Sequence, residues 1–524
     1  MRRIGIITLL CLLLALGCKS DTGTAPEETA QPTSAPTATA APTAEPTPEP
    51  TPAPIVVAGS MAVDGVLTAV VTAEDFALIE QIPDLKALDV SGSDCYDAIL
   101  AYRDAHPAVD VRYTVPIGDD LIDSGATEAT VTSVPDASLL GYLPALQSLI
   151  VTEPMTPDGA CAVLEALPAD AAATYAVEAF GEVVPSTETA LDWSAVPPKQ
   201  AEEAALALRA LPNVTDVQLD PGKGSSQWTL EQVGLLMAVR PTVRVAYTTK
   251  VFGVKFCLTD EVVTFNSVSL RNRVDELRVL LPYLRNVTRL EILNSGVPNE
   301  TMAALRAEFQ TPKIVWNMEV GPYDVRTDSI MLRLMGKYET YPLKNKDVGP
   351  LQYCNEVRFL DLGHNQIQNP DFVAFMPDLE VCILAIGQPT DLSAFANCPK
   401  LEYLEVFHGY ITDVSPLANC TELKHLNLCM NEITDITPLY GLTKLERLWI
   451  SRNPIPEEQI AVMQSIVPNC VINTTCKDPT LNEWRFDPTR PGGYSERYAL
   501  LRRQFRYDDN GPRWYNVLPD DLLN

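Results

Sequence analysis

From residue 357 to residue 450 the chain repeats one spacing of apolar and variable positions. The triplets are Val357-x-x-Leu360-x-Leu362, Leu379-x-x-Cys382-x-Leu384, Leu401-x-x-Leu404-x-Val406, Leu423-x-x-Leu426-x-Leu428 and Leu445-x-x-Leu448-x-Ile450, each starting 22 residues after the last. Alternation of apolar and variable residues predicts a short strand in each coil, whose intervening side chains point away from the core. One coil cannot bury its apolar edge alone. Stacked coils can, and stacking sets their strands side by side about 4.8 Å apart in a parallel sheet. Ile367, Ile411, Ile433 and Ile455 fall ten residues into their repeats and extend the inner face.

The same triplet recurs upstream at wider intervals, in Leu85-x-x-Leu88-x-Val90, Leu146-x-x-Leu149-x-Val151, Val214-x-x-Val217-x-Leu219 and Val287-x-x-Leu290-x-Ile292. A helical stretch such as 97–105 follows, then a proline and an alternating strand: Val109-x-Val111-x-Tyr113, Val243-x-Val245-x-Tyr247, Ile314-x-Trp316. Proline ends the helix and the Val/Tyr alternation favours the strand. These segments read as longer, irregular versions of the same unit, carrying extra hairpins or helices. The competing reading is a separate α/β domain.

The 22-residue coils resemble leucine-rich repeats of the short bacterial class and are similar to internalins. Asn365, Asn431 and Asn453 match that family's asparagine ladder, which Gly387 and Gly409 interrupt, and Ser415-Pro416-Leu417 and Thr437-Pro438-Leu439 match its convex-side turn. The resemblance implies an α/β leucine-rich repeat solenoid with a parallel sheet on the concave face, irregular longer units in the N-terminal half, and a protein ligand.

At the N-terminus, Arg2 and Arg3 precede an apolar run that ends Leu14-Ala15-Leu16-Gly17-Cys18. A charged start and a short apolar core describe an export signal rather than a membrane span. Its end resembles a bacterial lipobox, which implies that Cys18 carries the lipid anchor. Residues 21–54 hold nine prolines and nine threonines, too few apolar groups for a core and enough prolines to extend the chain toward polyproline II. The expected layout is a lipoprotein signal at 1–18, a Thr/Pro-rich stalk at 19–54, long units at 55–350, regular coils at 351–473 and a C-terminal cap at 474–524. The expected location is the outer side of the cytoplasmic membrane, at the cell surface.

The variable strand positions of the regular coils should line the concave face. They include Phe359, Tyr403, Glu405, Phe407, His425, Asn427, Arg447, Trp449 and Arg452. Clustered aromatic residues and arginines are the composition of binding hot spots. Taken as exposed, these residues form the predicted ligand site, with Glu405 tolerant of substitution. The alternative is that the tail covers them. That tail holds Trp484, Phe486, Tyr494, Tyr498, Phe505, Tyr507, Trp514, Tyr515 and seven arginines. Its Asp508 and Asp509 are then the expected partners of the concave arginines.

Charge and chemistry narrow the picture. The formal net charge is −29, and residues 55–476 hold 28 basic against 55 acidic residues. Such a field repels nucleic acid and leaves the lipid as the expected membrane contact. Ten cysteines besides Cys11 and Cys18 show no zinc spacing. Cys354, Cys398 and Cys420 share one core column, where adjacent Cys398 and Cys420 pose the question of a disulfide. A catalytic reading requires Cys429 beside His408 or His425, without evident oxyanion donors. No phosphate-binding, dinucleotide or metalloprotease motif is present. The expectation is a monomeric, non-catalytic protein without metal or cofactor, binding an extracellular protein or glycan. A structural envelope spacer without a ligand is the alternative.

Overall fold

The computed structural model describes residues 54–221, 227–336, 342–508, 513–518 and 522. The chain divides into Met1–Ile55 and Val56–Asn524. Cys18, residues 19–53 of the stalk and Asp509 lie outside the described residues.

The N-terminal half repeats a module of three parallel strands closed by a hairpin. Val66–Thr68, Ala87–Asp89 and Asp110–Arg112 form the first sheet, and Thr114–Ile117 then pairs antiparallel with Asp120–Asp123. The pattern returns in Glu128–Val131, Ser148–Val151 and Ala172–Thr174, and again in Ala190–Asp192, Asp216–Gln218 and Arg244–Ala246. In the fourth module, Val262–Asn266, Arg289–Leu293 and Lys313–Val320 are parallel, and the last strand itself runs on into the hairpin with Tyr323–Arg326. The predicted helix after the first triplet is present as Tyr96–Ala105.

Each module ends on a buried aromatic residue: Tyr113, Tyr175, Tyr247 or Trp316. Its carbonyl accepts the N–H of the residue eleven positions on, at 2.7–3.0 Å, which closes the hairpin at its base. The Tyr113 and Tyr175 hydroxyls donate across modules to Tyr142 O and Ala210 O, both at 2.7 Å. Arg240 donates to Leu208 O at 2.8 Å and Leu211 O at 2.9 Å, satisfying carbonyls at the end of helix Ala201–Ala210. The spacing between modules is therefore long because every third coil carries a hairpin.

The regular coils build one sheet from Met331–Arg333 (β1), Phe359–Asp361 (β2), Val381–Ile383 (β3), Tyr403–Glu405 (β4), His425–Asn427 (β5), Arg447–Trp449 (β6) and Val471–Asn473 (β7). Leu360, Cys382, Leu404, Leu426 and Leu448 stand in register from β2 to β6, and all are fully buried. Short 3₁₀ turns at Asp371–Phe375, Ser393–Asn397, Ser415–Asn419 and Thr437–Gly441 return the chain on the opposite side.

Asn431 shows how the ladder works. Its Nδ2 donates to Val406 O at 2.7 Å and Leu428 O at 2.9 Å, and its Oδ1 accepts Ile411 N at 3.1 Å. Asn365 and Asn453 bond in the same way. Gly409 interrupts the ladder for lack of room: a Cβ there would lie 2.8 Å from Asn431 Oδ1.

Ten described cysteines are free thiols. Cys398 and Cys420 each donate to carbonyls of the preceding coil, Val373 O at 3.6 Å and Phe395 O at 3.3 Å respectively, rather than to each other. Burial pushes both thiols up to about 12. They serve as small core residues.

The C-terminal segment corrects one expectation. It does not cover the end of the last coil, where Val471 remains 55% exposed. It turns back over the concave face, forms helix Glu496–Gln504 (α1), and ends with Trp514–Tyr515 (β8) paired antiparallel to β1 at the opposite edge. The order of the eight-stranded sheet is β7-β6-β5-β4-β3-β2-β1-β8. The physical reason lies in the outward columns. Val381, Ile383, Tyr403, Phe407 and Trp449 form a row of large apolar groups that the segment buries.

Candidate functional site

The concave face of the regular coils is a second core. Met331, Phe359, Val381, Ile383, Tyr403, Phe407 and Trp449 pack with Trp484, Leu501 and Phe505 of the returning segment. Trp484 is the centre of the seam. Its ring lies 5.3 Å from Tyr403, 5.1 Å from Trp449 and 6.2 Å from His425, centroid to centroid. Aromatic rings at these separations gain attraction beyond the area they bury.

The charges on this face have partners within the chain. Glu405 is 0% exposed. It accepts from Trp484 Nε1 at 2.6 Å, from Arg485 Nε at 3.0 Å, and from the Tyr403 hydroxyl and the second Arg485 nitrogen. Burial by itself depresses the Arg485 guanidinium, but Glu405 holds it well above its ordinary value. Asp361 accepts from Tyr507 Oη at 2.6 Å and from Gly363 N at 2.9 Å. Its buried position still raises its pKa. Asn427 donates to Pro479 O at 2.9 Å.

The ligand site expected from the sequence is therefore closed by the protein itself. Phe359, Tyr403, Glu405, Phe407, His425, Asn427 and Trp449 are all buried. Arg447 is half-buried, donates to Glu483 O and lies 3.7 Å from the Glu483 carboxylate. Arg452 alone is exposed, with one bond to Lys477 O at 3.3 Å. The structure brings all these residues onto one face and then covers it. Aromatic columns are as suited to holding a segment of the same chain as to holding a partner. The expected pairing of Asp508 with the concave arginines is also corrected, since Asp508 pairs with Arg502 inside the segment. Glu405, expected to tolerate change, is the most fully paired group of the seam.

His425 is held neutral. Burial lowers its pKa first, and Arg497, Arg447 and Lys424 add repulsion, bringing it to about 3 despite Glu446 at 3.6 Å. Cys429 is buried in the same seam. Its thiol contacts Cys476 Sγ at 3.4 Å, and burial raises its pKa. His408 is exposed and meets Cys429 through a backbone bond at 2.9 Å.

Sequence comparison agrees with the coil geometry. The family described as Leucine Rich repeats (2 copies) matches residues 421–461. The fold is a leucine-rich repeat solenoid. No curated protein matches the chain. Among solved structures, internalin C2 from Listeria monocytogenes is 22% identical over 38% of this chain and 69% of its own, with a TM-score of 0.23. A second Listeria monocytogenes internalin is 18% identical over 69% of this chain and 86% of its own, at 0.24. A leucine-rich repeat protein of Leptospira interrogans is 17% identical over 76% and 91%, at 0.25.

The outward residues of the N-terminal sheets carried no signal in the sequence and form the contrasting surface. Thr68, Arg112, Thr130, Ile150, Thr174 and Asp192 occupy the position that Glu405 occupies in β4, and all are exposed. Ile150 is 42% exposed against 0% for Glu405.

Proposed function

We propose that the protein is a lipid-anchored, non-catalytic recognition protein displayed outside the cytoplasmic membrane, which binds a protein or glycan through its long N-terminal units. Cys18 supplies the anchor and the Thr/Pro-rich segment the spacer. The single observation that carries this reading is the difference between the two concave faces. The strand positions of the regular coils are occupied by the chain's own C-terminal segment, whereas Thr68, Arg112, Thr130, Ile150, Thr174 and Asp192 of the N-terminal sheets are exposed and Asp89, Gln218 and Ala246 only half-buried. The body is strongly acidic, with 28 basic against 55 acidic residues in 55–476, which favours protein or glycan ligands over nucleic acid.

Two experiments test it. Cys18→Ala should abolish lipidation and detergent-phase partitioning; unchanged membrane retention sinks the anchor. The body 55–524, immobilised against extracellular protein and glycan panels, should bind saturably and lose that binding when Arg112, Ile150 and Thr174 are changed together to Glu. The sealed face favours the second reading, a structural spacer. Absence of any saturable ligand supports the spacer and defeats recognition.

A further inference from the structure

The sulfurs of Cys429 and Cys476 lie 3.4 Å apart, and both residues are buried. Cys429 follows β5 on the concave side, and Cys476 stands where the chain leaves β7 to begin its return. Both backbones are fixed. Cys476 N donates to Ser451 Oγ at 2.8 Å and Asn473 Oδ1 at 3.0 Å, and Cys429 N donates to Asn427 Oδ1 at 3.2 Å. Reaching a disulfide bond length of about 2.05 Å takes about 1.4 Å of closure. The core-column thiols Cys398 and Cys420 instead aim at main-chain carbonyls.

We propose that Cys429 and Cys476 are a disulfide-forming pair that staples the C-terminal end of the solenoid in an oxidising compartment. The loop so closed contains β6, helix Glu457–Ile466 and the exposed edge strand β7. Solenoids open from their ends, because a terminal coil has one neighbour instead of two. The bond ties the last coil and the root of the returning segment to β5.

The reaction is thiol–disulfide exchange. One thiolate attacks an external disulfide, from a low-molecular-weight disulfide or an exported oxidoreductase, and the second thiolate resolves the mixed disulfide. Two S–H bonds are lost and one S–S bond forms, while the oxidant's S–S bond is reduced to two thiols. The buried sulfurs are reachable before the segment docks, so oxidation accompanies folding. Burial afterwards shields the bond from reductant.

The test uses the full chain, unfolded and refolded with oxidised and reduced glutathione, then alkylated in denaturant and digested with trypsin without reduction. Cys429 lies in 425–444 and Cys476 in 453–477, which also holds Cys470, so fragmentation must locate the bond. The expected result is one Cys429–Cys476 link with Cys354, Cys398, Cys420 and Cys470 alkylated. Recovery of Cys429 and Cys476 as alkylated thiols, or joined to other cysteines, overturns the proposal. In the native oxidised protein, dithiothreitol should cleave the bond on the order of tenfold more slowly than in denaturant; equal rates overturn the claim of shielding. Amide exchange in 447–473 should be slower in the oxidised than in the reduced protein. Cys476→Ser should remove that difference, and a difference that persists in this variant counts against the staple.

Discussion

Two concave faces built from the same kind of coil have opposite fates. In β4 to β6 the residue between the two core positions is Glu405, Asn427 or Trp449, each no more than 1% exposed. In the first three N-terminal modules the same place holds Thr68, Arg112, Thr130, Ile150, Thr174 or Asp192, all exposed, and Asp89, Gln218 or Ala246, half-buried; only in the fourth, at Val315, is it buried. The backbone register is alike, so strand geometry is not the cause. The difference comes from what lies across the face. Large aromatic columns required a cover, and the C-terminal segment supplies Trp484, Leu501 and Phe505 to meet them. None of the outward residues of the first three N-terminal modules at this place is aromatic, and none has such a cover. The N-terminal half in turn spends its additional length on hairpins that end each sheet after three strands, whereas the regular half runs β1 to β7 without interruption.

The comparison breaks most readily at its centre. Trp484→Ala removes the ring shared by Tyr403, His425 and Trp449 and should cost about 3–5 kcal/mol, with faster proteolysis of residues 477–508. A denaturant midpoint unchanged by this substitution would mean that the face is open. Glu405→Ala leaves Arg485 buried without its carboxylate and should cost roughly 3–5 kcal/mol. A mild effect on the midpoint there would contradict the seam. Leu404→Ala probes the opposite side of the same strand and should cost about 2–5 kcal/mol. A neutral result would place the register wrong by one.

Acid provides a subtler probe. His425 is neutral when folded, with its pKa lowered to about 3 from 6.5. The unfolded chain binds this proton first, so its contribution to stability is complete above pH 6.5 and falls as pH drops from there toward 3. The slope is at most roughly 1.4 kcal/mol per pH unit. Asp361, raised by burial, acts with the opposite sign, favouring the folded state at low pH. His425→Gln should therefore flatten the acid limb of the stability profile, and an unchanged slope would show that this histidine is already protonated in the fold. Smallest of all, Thr174→Ala and Arg112→Ala in the open half should change stability by about 0.5 kcal/mol or less. Larger losses in urea titration would reveal a hidden cover there.

Much of the fold was legible before any coordinates. Leu360, Leu404, Leu426 and Leu448 announced their burial, and Asn365, Asn431 and Asn453 their ladder, because each interaction lies within one coil or its neighbour. The outward columns were correctly assembled as Phe359–Tyr403–His425–Arg447 and Glu405–Asn427–Trp449, but their exposure was not. Glu405 reads as a solvated carboxylate until Arg485, eighty residues later, is placed beside it. One signal was available. A tail rich in aromatic residues and arginine, with eight basic against eight acidic groups from Lys477 onward, matches an acidic body whose face is aromatic.

The sequence by itself determined the coil, because a 22-residue period with apolar positions in fixed places is satisfied only by stacking each unit on the next. It determined the register as well, since a slip of one residue turns the core leucines into solvent. The course of the C-terminal segment was decided only by the tertiary structure. Asp361 and Tyr507 are 146 residues apart, and no local periodicity connects them. Whether a surface aromatic or carboxylate meets water, a partner or the chain's own end depends on which distant surface reaches it first and buries the most area. That competition is settled by the packing of the whole molecule, which is why the same strand pattern yields an open face in one half and an internal core in the other.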